Sequence, residues 1–138
     1  MGTTERLAEC RLIDLTTAHD ARGALTWLAD DTDLPFAVRR VFWLYDVPAG
    51  AARAEHANRC TDQLLICLHG GSEVVLDDGG ARRRVTLDRP DRGLVLPRMI
   101  WHELRGFGPG TVCLVLASEL YDAHDYCRSY AEFLRLTR

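Results

Sequence analysis

Turn residues break the apolar sequence of this chain into pieces of strand length, and that punctuation constrains the fold more than any single motif. The clearest case is Asp77-Asp78-Gly79-Gly80, which separates Glu73–Leu76 from Arg82–Leu87 and reads as a hairpin. Further short runs rich in β-branched, aliphatic and aromatic residues lie at 10–15, 22–28, 38–45, 63–68, 93–96 and 111–117. Pro48-Ala49-Gly50, His69-Gly70-Gly71 and Gly106-Phe107-Gly108-Pro109-Gly110 punctuate them. Eight or more short strands with turns between them predict an all-β chain closed into a barrel or double-sheet jelly roll. After Ser118 the pattern changes. Tyr121, Tyr126, Tyr130, Phe133, Leu134 and Leu136 suggest helical spacing, with Asp122 and Asp125 near its start, so one C-terminal helix is expected over about 122–136. Residues 1–8 read as a loose terminus.

At 138 residues the chain makes one domain spanning 1–138. No apolar run approaches the roughly 20 residues of a membrane span, and no leader pattern opens the chain, so a soluble cytoplasmic protein is expected. The five cysteines, Cys10, Cys60, Cys67, Cys113 and Cys127, include no C-x-x-C pair and predict neither a disulfide framework nor a zinc knuckle. A net charge of −3 gives no footing for nucleic acid. All 17 basic residues are arginine, which closes Schiff-base chemistry through lysine and leaves guanidinium forks as the side-chain grips for phosphate.

Chemistry concentrates at two places. Arg53-Ala54-Glu55-His56-Ala57-Asn58 is followed by Gln63 and Gly70, and a second stretch runs from Gly93 through Pro97 to Trp101-His102. This is the two-part layout of a cupin, so the full expectation is a cupin-type jelly-roll barrel with a C-terminal helix. Metal-bearing cupins bring three histidines and a glutamate together; here His56 and His102 meet only the carboxamides of Asn58 and Gln63, which are weak ligands. No metal or other cofactor is expected, and acid-base work is the better use of the imidazoles. The expected catalytic set is His56, Asn58 and His102. Arg53 and Arg40 are expected on an anionic group, with Gln63, Tyr45 and Trp101 also binding substrate. His19, His69 and His124, and the run Arg82-Arg83-Arg84, read as surface features.

The chain also resembles the dTDP-sugar 3,4-ketoisomerases. The likeness rests on Arg22-Gly23-Ala24-Leu25, Leu34-Pro35-Phe36, Arg39-Arg40-Val41-Phe42, His56-Ala57, Asp62 to Leu68, Leu76-Asp77-Asp78-Gly79, Leu87-Asp88, Gly93-Leu94, Trp101-His102-Glu103, Val115 to Ser118 and Tyr121-Asp122. It implies a metal-free cupin acting on dTDP-4-keto-6-deoxyglucose, and a homodimer that often exchanges strands. The departure is Asn58, where better-described members read His-Ala-His. On this reading His56 moves a hydrogen from carbon 3 to carbon 4 through an enediol, Asn58 donates to the oxyanion, and His102 or water it holds relays the hydroxyl proton. The alternatives are a nucleotide-sugar-binding cupin without turnover and a metal-dependent cupin oxygenase.

Overall fold

The computed structural model describes residues 4–29 and 34–138. Its strands are β1 (Leu12–Asp14), β2 (Thr16–Asp20), β3 (Gly23–Trp27), β4 (Arg40–Leu44), β5 (Arg53–Asn58), β6 (Gln63–His69), β7 (Ser72–Asp77), β8 (Arg82–Leu87), β9 (Arg92–Leu96), β10 (Trp101–Arg105), β11 (Val112–Ala117) and β12 (Tyr126–Cys127). Two helices, α1 (Thr4–Ala8) and α2 (Tyr130–Leu136), lie near the ends of the chain. One five-stranded sheet runs β1-β9-β6-β11-β4 and faces another ordered β12-β5-β10-β7-β8, while β2 and β3 form a separate ribbon. All pairings are antiparallel. The fold is the expected jelly-roll barrel.

Side-chain alternation explains the packing. Leu65, Cys67, Leu94, Leu96, Cys113 and Val115 of the first sheet meet Val74, Leu76, Val85, Leu87 and Leu104 of the second in the main core. The first sheet is covered outside as well: Leu64, Ile66, Val95 and Leu116 pack with Leu34, Phe36 and Val38. Strand β6 is therefore buried on both faces from Gln63 to Cys67, which is why its sequence reads as an unbroken apolar run. Outside the second sheet, Ala57, Trp101, Cys127 and Phe133 form a third cluster that docks α2.

Both termini differ from expectation. Residues 1–3 lie outside the described residues, but Thr4–Ala8 is helical and buries Leu7 at 6% exposure, so the loose-terminus reading fails there. The C-terminal helix begins later than predicted. Ala123–Asp125 is a short 3₁₀ turn, Tyr126–Cys127 pairs with β5, and α2 starts only after Ser129, whose hydroxyl accepts from the Glu132 amide as N-cap. The cause is Asp125: its carboxylate is buried among donors near the end of β5, which holds the segment extended where a helix would lift it away.

Candidate active site

A cavity of about 340 Å³ opens between the sheets, with Phe42, Leu44, Leu65, Leu104 and Val115 as apolar wall. Arg53, His56, Gln63, His102, Tyr121, Tyr126 and Arg128 supply its polar groups. Polar groups converging on an apolar wall are the usual build of a small-molecule site, and here the polar share is large. His56 and His102 face each other across the β5–β10 pairing, with ring centroids 4.8 Å apart and an interplanar angle of 73°. Tyr126 closes the other side of His56 at 4.9 Å, also edge to face.

An irregularity in β5 builds this arrangement. His56 pairs with His102, Ala54 with Glu103 and Arg53 with Leu104, so Glu55 has no partner and forms a bulge. Ala54 and Glu55 both take left-handed backbone, at φ 68° and 59°, unusual for residues with a Cβ. In a regular strand, residues three apart point to opposite faces. The extra residue restores parity, and Arg53 and His56 both line the cavity.

The electrostatics separate the two imidazoles. His102 is 3% exposed, and its Nδ1 lies 3.0 Å from the Ile100 carbonyl, which needs a hydrogen on Nδ1 and leaves Nε2 as an acceptor. Burial, helped by the neighbouring His56, pushes its pKa down to about 3, so it is neutral at any physiological pH. Burial also lowers the pKa of His56, and the Arg128 charge adds to that, against opposing contacts from the Ala54 backbone, Asn58 and Asp125. His56 Nδ1 is buried and without a close partner. Nε2 is then the nitrogen that faces the cavity.

Residues 8–138 match the family described as "FdtA: WxcM-like, C-terminal". The chain belongs to that family. This FdtA-family protein is 37% identical over 125 residues to the TDP-4-oxo-6-deoxy-alpha-D-glucose-3,4-oxoisomerase of Aneurinibacillus thermoaerophilus, covering 91% of this chain and 90% of the relative. Among solved structures it is similar to a histidine-to-asparagine variant of the 3,4-ketoisomerase QdtA from Thermoanaerobacterium thermosaccharolyticum in complex with TDP-4-keto-6-deoxyglucose. That match has a TM-score of 0.91 and 32% identity over 94% of both chains. The TDP-quinovose 3,4-ketoisomerase WlaRB of Campylobacter jejuni gives a TM-score of 0.88 and 37% identity, covering 91% of this chain and 97% of that one.

Of the residues expected from sequence, the FdtA-family fold brings His56, His102, Arg53 and Gln63 to the cavity. Asn58 does not line it: the residue is 2% exposed and its amide nitrogen donates to Asp125 at 2.8 Å, so it is not free to reach an oxyanion. Trp101 alternates with inward-facing His102 and so points outward. There its indole N–H donates to Glu103 and its ring packs on Tyr130 and Phe133. Tyr45 follows the outward parity of Val41 and Trp43 and is 62% exposed on another surface. Arg40 sits behind the wall, with Nη1 donating to the Tyr126 hydroxyl at 3.3 Å and its guanidinium over the rings of Phe42 and Tyr121. Sequence reasoning missed Tyr126, Arg128 and Asp125, which all fall where one helix was expected. The five-residue step from Tyr121 to Tyr126, too long for one helical face, was the available signal.

Proposed function

We propose that the protein is a sugar 3,4-ketoisomerase acting on dTDP-4-keto-6-deoxyglucose and giving a dTDP-linked 3-keto-6-deoxyhexose. The observation that carries this reading is the pair of facing imidazoles, His56 and His102, in a cavity that also holds Arg53 and Arg128; burial favours the neutral form of His56, the form a base needs. The relatives' printed substrates supply the ligand class.

The hydrogen on carbon 3 is acidic because it lies next to the carbon 4 ketone, and His56 Nε2 takes it. The charge moves onto oxygen 4, where the Gln63 amide can donate to it. His102, neutral and with a free Nε2 lone pair, accepts a hydrogen bond from a sugar hydroxyl but is too weak a base to relay a proton. The Tyr126 hydroxyl takes that task. Arg40 occupies one of its lone pairs, leaving its own hydrogen and a second lone pair for the sugar. It gives its proton to oxygen 4 and recovers the one on oxygen 3, while His56 returns its proton to carbon 4. No cofactor enters the scheme. Arg53 and Arg128 hold the diphosphate.

Incubation with dTDP-4-keto-6-deoxyglucose in deuterium oxide, followed by NMR, tests the reading. A 3-keto product is expected, with deuterium at carbon 4 in the fraction of turnovers in which the proton on His56 exchanges with solvent before it is returned. Binding without conversion would make this a binding module. An oxidised product formed with consumption of oxygen and lost on chelation would restore the metal-dependent oxygenase, although among the described residues no group of three or more His, Cys, Asp or Glu side chains could hold a metal. Arg53→Glu should raise KM at least about tenfold with a smaller change in kcat, since it removes binding shared by ground and transition states. A fall mainly in kcat would move Arg53 to the reacting end.

The protein works as a homodimer in this reading. Edge strand β4 and the residue that follows it present Val41, Trp43 and Tyr45 outward at 47%, 56% and 62% exposure, and the β2–β3 ribbon exposes Leu25 and Trp27. An apolar edge strand and an unattached ribbon are each suited to strand exchange with a second copy. Sedimentation should report twice the mass of one chain, and a monomer would refute this. A cytoplasmic location fits five unpaired cysteines, four of them buried, and among the described residues no helix is long and apolar enough to cross a membrane.

A further inference from the structure

Two residues along β5 from the cavity-lining His56, the amide of Asn58 is held by a buried carboxylate. Asp125 Oδ2 accepts from Asn58 Nδ2 at 2.8 Å and from the Thr61 hydroxyl at 2.6 Å, and its Oδ1 accepts from the Cys60 backbone N–H at 2.6 Å. An ionised carboxylate can only accept, so it fixes which end of the Asn58 amide faces it. Asn58 Oδ1 must then turn away from Asp125. That oxygen is buried and has no other close partner. The same is true of His56 Nδ1, two residues earlier on the same strand and so projecting toward the same face. An unpartnered acceptor and an unpartnered ring nitrogen on one face of one strand, with the Asn58 side chain already acting on the His56 ring, satisfy each other if Nδ1 carries the hydrogen.

We propose that Asp125 and Asn58 are positioning residues: the carboxylate orients the amide, and the amide oxygen holds His56 as the Nδ1–H tautomer, which makes Nε2 the proton acceptor. Neither residue touches the sugar. The inference deepens the isomerase reading and rests on it for the role of His56, but the tautomer itself does not depend on turnover. Asp125 suits the task because hydrogen bonds from Asn58, Thr61 and Cys60 hold its carboxyl below the usual range in spite of burial, so it stays ionised. The rival orienting group is the Ala54 backbone, which also contacts the ring.

The test is long-range proton–nitrogen correlation NMR on ligand-free protein labelled at histidine and asparagine, at a pH where His56 is neutral. In the wild type His56 should appear as the Nδ1–H tautomer, and the Asn58 side-chain carbonyl carbon should titrate together with His56. An Nε2–H tautomer, or an Asn58 carbonyl that ignores the titration, would overturn the proposal without any variant. In Asn58→Leu and Asp125→Asn the tautomer should become mixed, and kcat should fall about tenfold with KM within about twofold. An unchanged Nδ1–H signal in both folded variants would credit Ala54 instead. An inactive wild type with the expected tautomer would remove the isomerase reading alone; an active one with the opposite tautomer would remove only this one.

Discussion

His56→Ala will lower kcat by a factor on the order of 10³, within the range that a positioned general base supplies, and will abolish exchange of the carbon 3 hydrogen with solvent deuterium. Full exchange in the folded variant would place the base elsewhere. The wild-type pH profile carries the same assignment. A base works in its unprotonated form, and burial lowers the pKa of His56 from the ordinary histidine value of 6.5. Activity should therefore stay level as pH drops through 6.5 and decline only below it. A limb at or above the ordinary histidine value would mean that the ring is solvated or paired with a carboxylate, contrary to its surroundings.

Acid will destabilise the protein through His102. Its folded pKa of about 3 lies below the ordinary histidine value of 6.5. Between those values the unfolded chain binds a proton at this residue that the folded chain refuses, so stability falls as pH drops. At pH 5 the loss is on the order of 2 kcal/mol, and His56 adds to it with the same sign. His102→Gln keeps a neutral polar group of similar length and removes the titration. Denaturant unfolding at pH 7.5 and pH 5 should show the difference between the two conditions shrinking by about 2 kcal/mol in the variant. An equal difference in both proteins would show that the imidazole is accessible to protons in the native state.

The strands visible in the sequence were those whose neighbours demanded one residue type throughout. Strand β6, buried on both faces, could hardly read as anything else, and the Asp77 to Gly80 turn announced the β7–β8 hairpin. Strands β5 and β10 were the harder ones, although they carry the two imidazoles. Arg53-Ala54-Glu55-His56 has neither alternation nor β-branched residues, because a bulge with two left-handed residues interrupts it. Trp101-His102-Glu103 alternates between a packed outer face and a polar inner one, so neither parity looks like core. Arg53, His56 and His102 line the cavity where residue chemistry alone put them, whereas Arg40, chosen on the same ground, stands behind the wall on the Tyr126 hydroxyl. Tyr45 and Trp101 failed because an aromatic ring serves a ligand or a core equally well, and strand parity alone separates the two. Asp125 was invisible because its role is defined by three donors more than 60 positions earlier.

The unpaired Glu55 has a consequence for how such sites can change. One codon sets the phase between the guanidinium at 53 and the imidazole at 56, so its deletion would rotate the arginine to the outside while leaving the histidine opposite its partner. Ligand retention and proton chemistry are thus separable by a single in-frame loss, a short step by which a descendant could keep its base and acquire a different guest.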